Sequence, residues 1–135
     1  MPTVAADTNV LVRFLVRQPP DQYRRARALM VKVSGGQLEV RISAVVVGEV
    51  AAILHHVYGQ PQAEVAEALL ALVTARDVQV DEQAIVVAAL EHARDLRDID
   101  FVDAYVAEKA ADDRLTVASF DKALHKKLGT TIFPL

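Results

Sequence analysis

Glu49 stands in RISAVVVGEV, residues 41–50, a stretch that is otherwise mostly apolar. A carboxylate buried there without a partner would destabilise the fold by several kcal/mol, so its presence calls for a chemical reason. Three more carboxylates stand close to strand ends or helix starts. Asp7 closes TVAAD, Asp103 lies in DFVDA, and Asp121 comes two residues after LTVAS. Four such groups converging on one rim would repel one another, and like charges raise each other's pKa unless a cation compensates. A hard divalent ion is the natural compensation, because Mg²⁺ takes oxygen ligands, keeps several waters and is usually held by a few carboxylates together with substrate phosphate. The chain has no cysteine, so any metal must be held by oxygen or imidazole.

The elements that would position these residues alternate along the chain. TVAAD (3–7), LEVRI (38–42), DVQV (77–80), LTVAS (115–119) and TTIFP (130–134) read as strands. DQYRRARALMVKV (21–33) reads as a helix with Asp21 as N-cap and Ser34, Gly35 and Gly36 as its stop; Ser43 caps a second helix that runs to Tyr58 and ends at Gly59. Further helices are expected over 62–75, 82–96 and 101–112, with a short helical segment in DKALHKKLG. Strands alternating with helices predict an α/β fold, a three-layer α/β/α arrangement whose central sheet is mostly parallel, has about five strands and is covered on both faces. Ligands of such sheets bind beyond the carboxyl ends of the strands, which is why acidic residues at those ends attract attention.

Each acidic residue also has a plainer role open to it. Asp7 in ADTN could be a turn residue bonding its own backbone. Asp100 fits a helix N-cap, with Asp103 as an acidic residue favoured in the first turn, and Asp103 could serve both as cap partner and as ligand. Asp121 in SFDK could cap the segment after it, and Glu49 could lie at a solvated helix edge.

Bulk properties narrow the classes. At 135 residues, 53% apolar and 24% charged, the chain is expected to form one domain over 1–135 with a real core, not a disordered polyelectrolyte. No apolar run approaches the roughly 18 residues of a membrane helix. In MPTVAADTNVLVRFLVRQ, Asp7 and Arg13 interrupt the apolar stretch and no basic leader precedes it, so a soluble, cytoplasmic protein is expected. The net charge of −3 neither predicts nor excludes a nucleic-acid partner, since it does not say how the 15 basic residues are distributed.

Taken together, DTNVL (7–11), Ser43 with Glu49 in SAVVVGE, DFVDA (100–104) and SFDK (119–122) resemble the PIN-domain ribonucleases, in particular the VapC toxins of toxin–antitoxin pairs. The similarity runs over almost the whole chain and includes the strand–helix order. It implies a PIN-like fold and an endoribonuclease dependent on Mg²⁺ or Mn²⁺. Its catalytic and metal-holding acidic quartet falls on Asp7, Glu49, Asp103 and Asp121, with Asp100 as an accessory acid and Thr8, Asn9, Ser43 and Ser119 as polar support. Ser119 departs from the threonine common there but keeps the hydroxyl. The resemblance further implies a structured RNA substrate such as tRNA or rRNA, a homodimer, and a VapB-type antitoxin whose arm docks in a helical groove. A phosphotransfer receiver domain should show an acidic pair at the first strand end, and a haloacid-dehalogenase-type phosphatase a second Asp two residues after the first. This chain has Thr8 and Asn9 there.

Two basic groups lie close in sequence to the acidic residues and could contact flanking phosphates. They are Arg13 with Arg17, and Lys122 with His125, Lys126 and Lys127; the RNA contacts expected first are Arg13, Lys122 and Lys126. A solvated helix face is the competing account for the lysines. His55 and His56 diverge on a helix and read as surface residues. With four Phe, three Tyr and no Trp, stacking on bases is expected to matter less than RNA shape and backbone.

Overall fold

Alternation in EVRI fixes the centre of the sheet: Val40 and Ile42 are fully buried, while Arg41 between them is exposed. The structure, a computed structural model, describes residues 1–129 and 133–135. In chain order it comprises β1 (Thr3–Ala5), α1 (Thr8–Val16), α2 (Pro20–Ser34), β2 (Glu39–Ile42), α3 (Ala44–His56), α4 (Gln62–Val73), β3 (Val78–Val80), α5 (Gln83–Asp95), α6 (Phe101–Asp112) and α7 (Lys122–Leu128). The strands pair in parallel in the order β1-β2-β3, with Val4 opposite Val40 and Val40 opposite Val78. This register gathers Val4, Val40, Ile42, Val78 and Val80 on one face, the face that joins the hydrophobic core.

The other face is polar. Thr3, Ala5, Arg41 and Gln79 are exposed on it. Thr3 Oγ1 and Gln79 Nε2 both donate to Glu39 Oε2, at 3.2 and 2.8 Å, and Arg41 Nε donates to Asp81 Oδ1 at 3.0 Å. Parallel sheets are ordinarily covered on both sides. Among the described residues this one has three strands, not about five, and no helical layer shields the polar face. LTVAS does not form an extended strand: only Val117 bridges, its carbonyl accepting from Phe133 N–H at 2.9 Å. Leu115, Thr116 and Ala118 around it are exposed, so the run has one inward side chain and no face to pack. Residues 130–132 of TTIFP lie outside the described residues.

Helix α1 occupies a stretch where the sequence reading places no element. Its buried Thr8, Leu11 and Val12 follow the i, i+3, i+4 spacing of a helix stripe, and Asp7 caps it. Helix α2 starts at Pro20, with Pro19 at the cap position, so Asp21 is not the N-cap expected of it; its carboxylate instead accepts from Arg24 Nη2 at 2.5 Å. The remaining helices follow the expected spans closely. Val47, Val50 and Leu54 of α3 and Val65, Leu69 and Val73 of α4 face inward. Helix α5 packs between α4 and α6, and the buried Ala104, Ala107 and Ala110 of α6 let that pair approach closely. Among the described residues no helix is long and apolar enough to cross a membrane.

Candidate active site

Strand β1 ends at Ala5, and the chain turns through Asp7 into α1. Asp7 is extended (φ −82°, ψ 155°), and its Oδ1 accepts the Thr8 N–H at 2.8 Å. This satisfies one of the free N–H groups at the helix start and engages only one carboxylate oxygen. Thr8, 7% exposed, donates its hydroxyl to Glu49 Oε2 at 3.2 Å. Glu49 itself lies on the exposed side of α3. The burial penalty that its apolar neighbours suggest is therefore not incurred: the valines on either side turn inward and the carboxylate turns out. Ser43 caps α3, its Oγ accepting the Val46 N–H at 3.2 Å.

A second acidic group forms where α6 and α7 begin. Asp100 caps α6, its Oδ1 accepting the Asp103 N–H at 2.8 Å. Asp121 caps α7 through Oδ1, which accepts from Ala123 and Leu124 N–H at 2.9 and 3.4 Å, while its own N–H donates to Ser119 Oγ at 2.9 Å. Asp103 is half-buried between them. Desolvation first, then the charge of Asp100, a side-chain hydrogen bond with Asp100 and the charge of Asp121 push its carboxyl up to about 6. The plain capping roles of Asp100 and Asp121 are thus realised, and Asp7, expected as a turn residue, is a cap too; none of these excludes a second role, since each cap occupies one oxygen.

Helices α3 and α6, which carry Glu49 and Asp103, are neighbours. A Cβ added at Gly48 would lie 3.5 Å from Val102 Cγ2 and 3.7 Å from Phe101 Cε2, so the turn of α3 carrying Glu49 abuts the first turn of α6 carrying Asp103. Those distances are ordinary contacts, and Gly inside a helix is less stable than Ala. Gly48→Ala is expected to raise stability by about 0.5–1 kcal/mol, read from the urea midpoint; a loss would mean that α3 and α6 are packed more tightly than these distances imply.

The donor set is all oxygen, which suits a hard divalent ion. Among the described residues no three His, Asp or Glu side chains stand close enough to ligate an ion as placed. Mg²⁺ usually takes only one or two carboxylates and retains waters; the donor chemistry suits such an ion, while no cage for a dehydrated ion is formed among the described residues. The crowding of Asp103 by Asp100 and Asp121 is the feature that a cation would relieve. Asn9 is exposed beside Asp7, and its side chain makes no hydrogen bond among the described residues.

The basic residues divide. Arg13 is committed to the protein, its Nη1 donating to Tyr58 Oη at 2.9 Å and to Gln18 O at 3.4 Å, which ties α1 to the end of α3. Lys127 pairs with Asp98 at 3.6 Å. Lys122 and Lys126, one turn apart on α7, are exposed and form no ion pair among the described residues. His55 Nδ1 bonds Gln60 O at 2.8 Å, a local role at the end of α3. The sequence reading misses Phe120, fully in solvent between Ser119 and Asp121; an aromatic beside a candidate ligand is the signal that marks it.

The PIN domain family matches residues 4–128, and the chain belongs to that family. Its fold is of nuclease type. No curated protein matches the chain.

Proposed function

We propose that the protein is an endoribonuclease dependent on Mg²⁺ or Mn²⁺ and the toxin of a VapBC-type pair. The observation that carries this reading is the acidic group at the starts of α6 and α7, Asp103 crowded by Asp100 and Asp121; Glu49, bonded by Thr8 next to Asp7, lies on the neighbouring helix α3. Bound there, a divalent cation supplies water activation and charge neutralisation at a scissile phosphate. Asp7, Glu49, Asp103 and Asp121 would supply its carboxylate oxygens, one or two directly and the others through its waters. Thr8 fixes the orientation of the Glu49 carboxylate, Asp100 and Ser43 fix the helix starts, Ser119 fixes the turn before Asp121, and Asn9 lends polar support beside Asp7. Lys122 and Lys126 contact phosphates flanking the cut, and Arg13, bonded to Tyr58, sets α1 against the end of α3. The RNA is a structured one, such as tRNA or rRNA.

The partner side of the proposal rests on two surfaces. A pocket among α3, α4, α5 and the start of α6 is lined by Gly48, Ala51, Ala52, Val65, Ala66 and Asp100. An antitoxin arm lying in it would bring a basic side chain to the acidic rim and block metal or substrate. Val45, Val102 and Val106 are exposed on α3 and α6 and supply apolar area for a homodimer.

Purified protein incubated with total RNA tests the reading. Discrete fragments that require Mg²⁺ or Mn²⁺ and vanish with EDTA are expected. Intact RNA from folded, metal-binding protein would favour the alternative, a PIN-like module that acts through protein partners. Thr8→Val, nearly isosteric, removes only the hydroxyl that orients Glu49, and about a 10- to 100-fold loss of divalent-ion affinity is expected by calorimetry; unchanged affinity would take Glu49 out of the site.

A further inference from the structure

Phe120 is 90% exposed, more than any other large apolar side chain among the described residues. A phenyl ring left in water forgoes the burial that usually makes aromatics dominant in cores and interfaces. Its place is nonetheless fixed. Ser119 Oγ accepts the Asp121 N–H at 2.9 Å, and Asp121 is anchored as the cap of α7, so the residues on both sides of the ring are held. The ring therefore projects from the turn that supplies a metal-holding carboxylate. Lys122 and Lys126 follow on α7, exposed and without an ion pair among the described residues. An aromatic interleaved with free cations is the arrangement that binds single-stranded nucleic acid: the ring stacks on a base, the lysines follow the backbone, and no particular base is required. Paired RNA hides the faces of its bases, and unpaired loops and ends expose them.

Resting on the nuclease reading above, we propose that Phe120 stacks on an unpaired nucleobase beside the phosphodiester to be cut and so positions that linkage. Phe120 is a positioning residue; it places the linkage and takes no part in the bond changes.

The chain has no Trp, so Phe120→Trp introduces a single indole whose fluorescence reports stacking directly. In an Asp7→Asn background, which prevents cleavage, the indole is titrated with single-stranded oligoadenylate and with the oligoadenylate–oligouridylate duplex. Saturable quenching by the single strand, with binding to the duplex about tenfold weaker or more, is expected. In the same background Phe120→Ala raises the Kd for the single strand about tenfold, leaves duplex binding unchanged, and Phe120→Tyr restores it. No quenching, or equal affinity of the Phe120→Ala variant for the single strand, overturns the proposal. Emission that shifts with protein concentration and ignores RNA overturns it too, and makes Phe120 a protein contact. Quenching without any cleavage by the wild-type protein would remove the nuclease reading and leave the stacking intact; metal-dependent cleavage with a silent indole would do the reverse.

Discussion

Asp7→Asn is expected to lower metal-dependent RNA cleavage by about two orders of magnitude or more, with the fold unchanged. Asp7 Oδ1 caps α1 through the Thr8 N–H, and Asn is as good a cap as Asp, so the amide preserves that bond. What the substitution removes is the anionic oxygen available to a cation. Stability in the absence of metal should stay within about 0.5 kcal/mol of wild type. Cleavage rates on one RNA, alongside a urea titration of both proteins, separate the two effects. Full activity in a folded Asp7→Asn variant would remove Asp7 from the metal-holding set.

The second large effect is expected at Asp103, where activity and stability should move in opposite directions. Burial, the Asp100 carboxylate and the Asp121 carboxylate raise its folded-state pKa from 3.8 to about 6. A raised carboxyl pKa means that the folded state holds this proton more tightly than the unfolded state does. Between about pH 4 and pH 6 the folded protein therefore binds more protons, and this group's contribution to stability falls as pH rises, reaching its least favourable value above about 6. The side chain is only half-buried, and discounting for solvent leaves about 1 kcal/mol across that window. Asp103→Asn should abolish the pH slope, stabilise the metal-free protein at pH 7, and remove cleavage. Asp100→Asn keeps the cap of α6 and takes away one repelling charge, so its activity loss should be milder. Urea midpoints from pH 4 to pH 7 without divalent ions, with cleavage rates for both variants, check this. Equal or reversed activity losses would exchange the roles of the two DFVDA carboxylates, and a Mg²⁺-insensitive midpoint for the wild-type protein at pH 7 would take the cation away from this group.

Much of this site is legible in the sequence because its residues sit where local rules act. Asp100, Ser43 and Asp121 each precede an expected helix, and a short polar side chain before an apolar-periodic run is a strong local signal; Asp7 is marked instead by its place at the end of a strand. The helices after Ser43 are equally plain, since their apolar stripes repeat at three and four residues. What is not legible depends on tertiary geometry. Helix α1 is hidden because NVLVRFLV is almost continuously apolar, and a short apolar run does not distinguish helix from buried strand. Glu49 looks buried from its neighbours, yet the helical rotation that turns Val47 and Val50 inward turns Glu49 out. LTVAS has a strand's composition, but among the described residues only Val117 finds a partner and a buried position. The open polar face of the sheet follows from Gln79 pairing with Glu39 and Arg41 with Asp81 across strands, pairings set by register and not by any one strand. Arg13 illustrates the same limit, since its partner Tyr58 is distant in sequence.

The most direct test of the central claim is the chemistry of the ends. RNA cut by the purified protein with Mg²⁺ should carry 5′-phosphate and 3′-hydroxyl termini, because water is the nucleophile when carboxylate-held metal drives hydrolysis. Fragments ending in 2′,3′-cyclic phosphate, formed whether or not EDTA is present, would show that the RNA's own 2′-hydroxyl attacks and that Asp7, Glu49, Asp103 and Asp121 are not the catalytic apparatus.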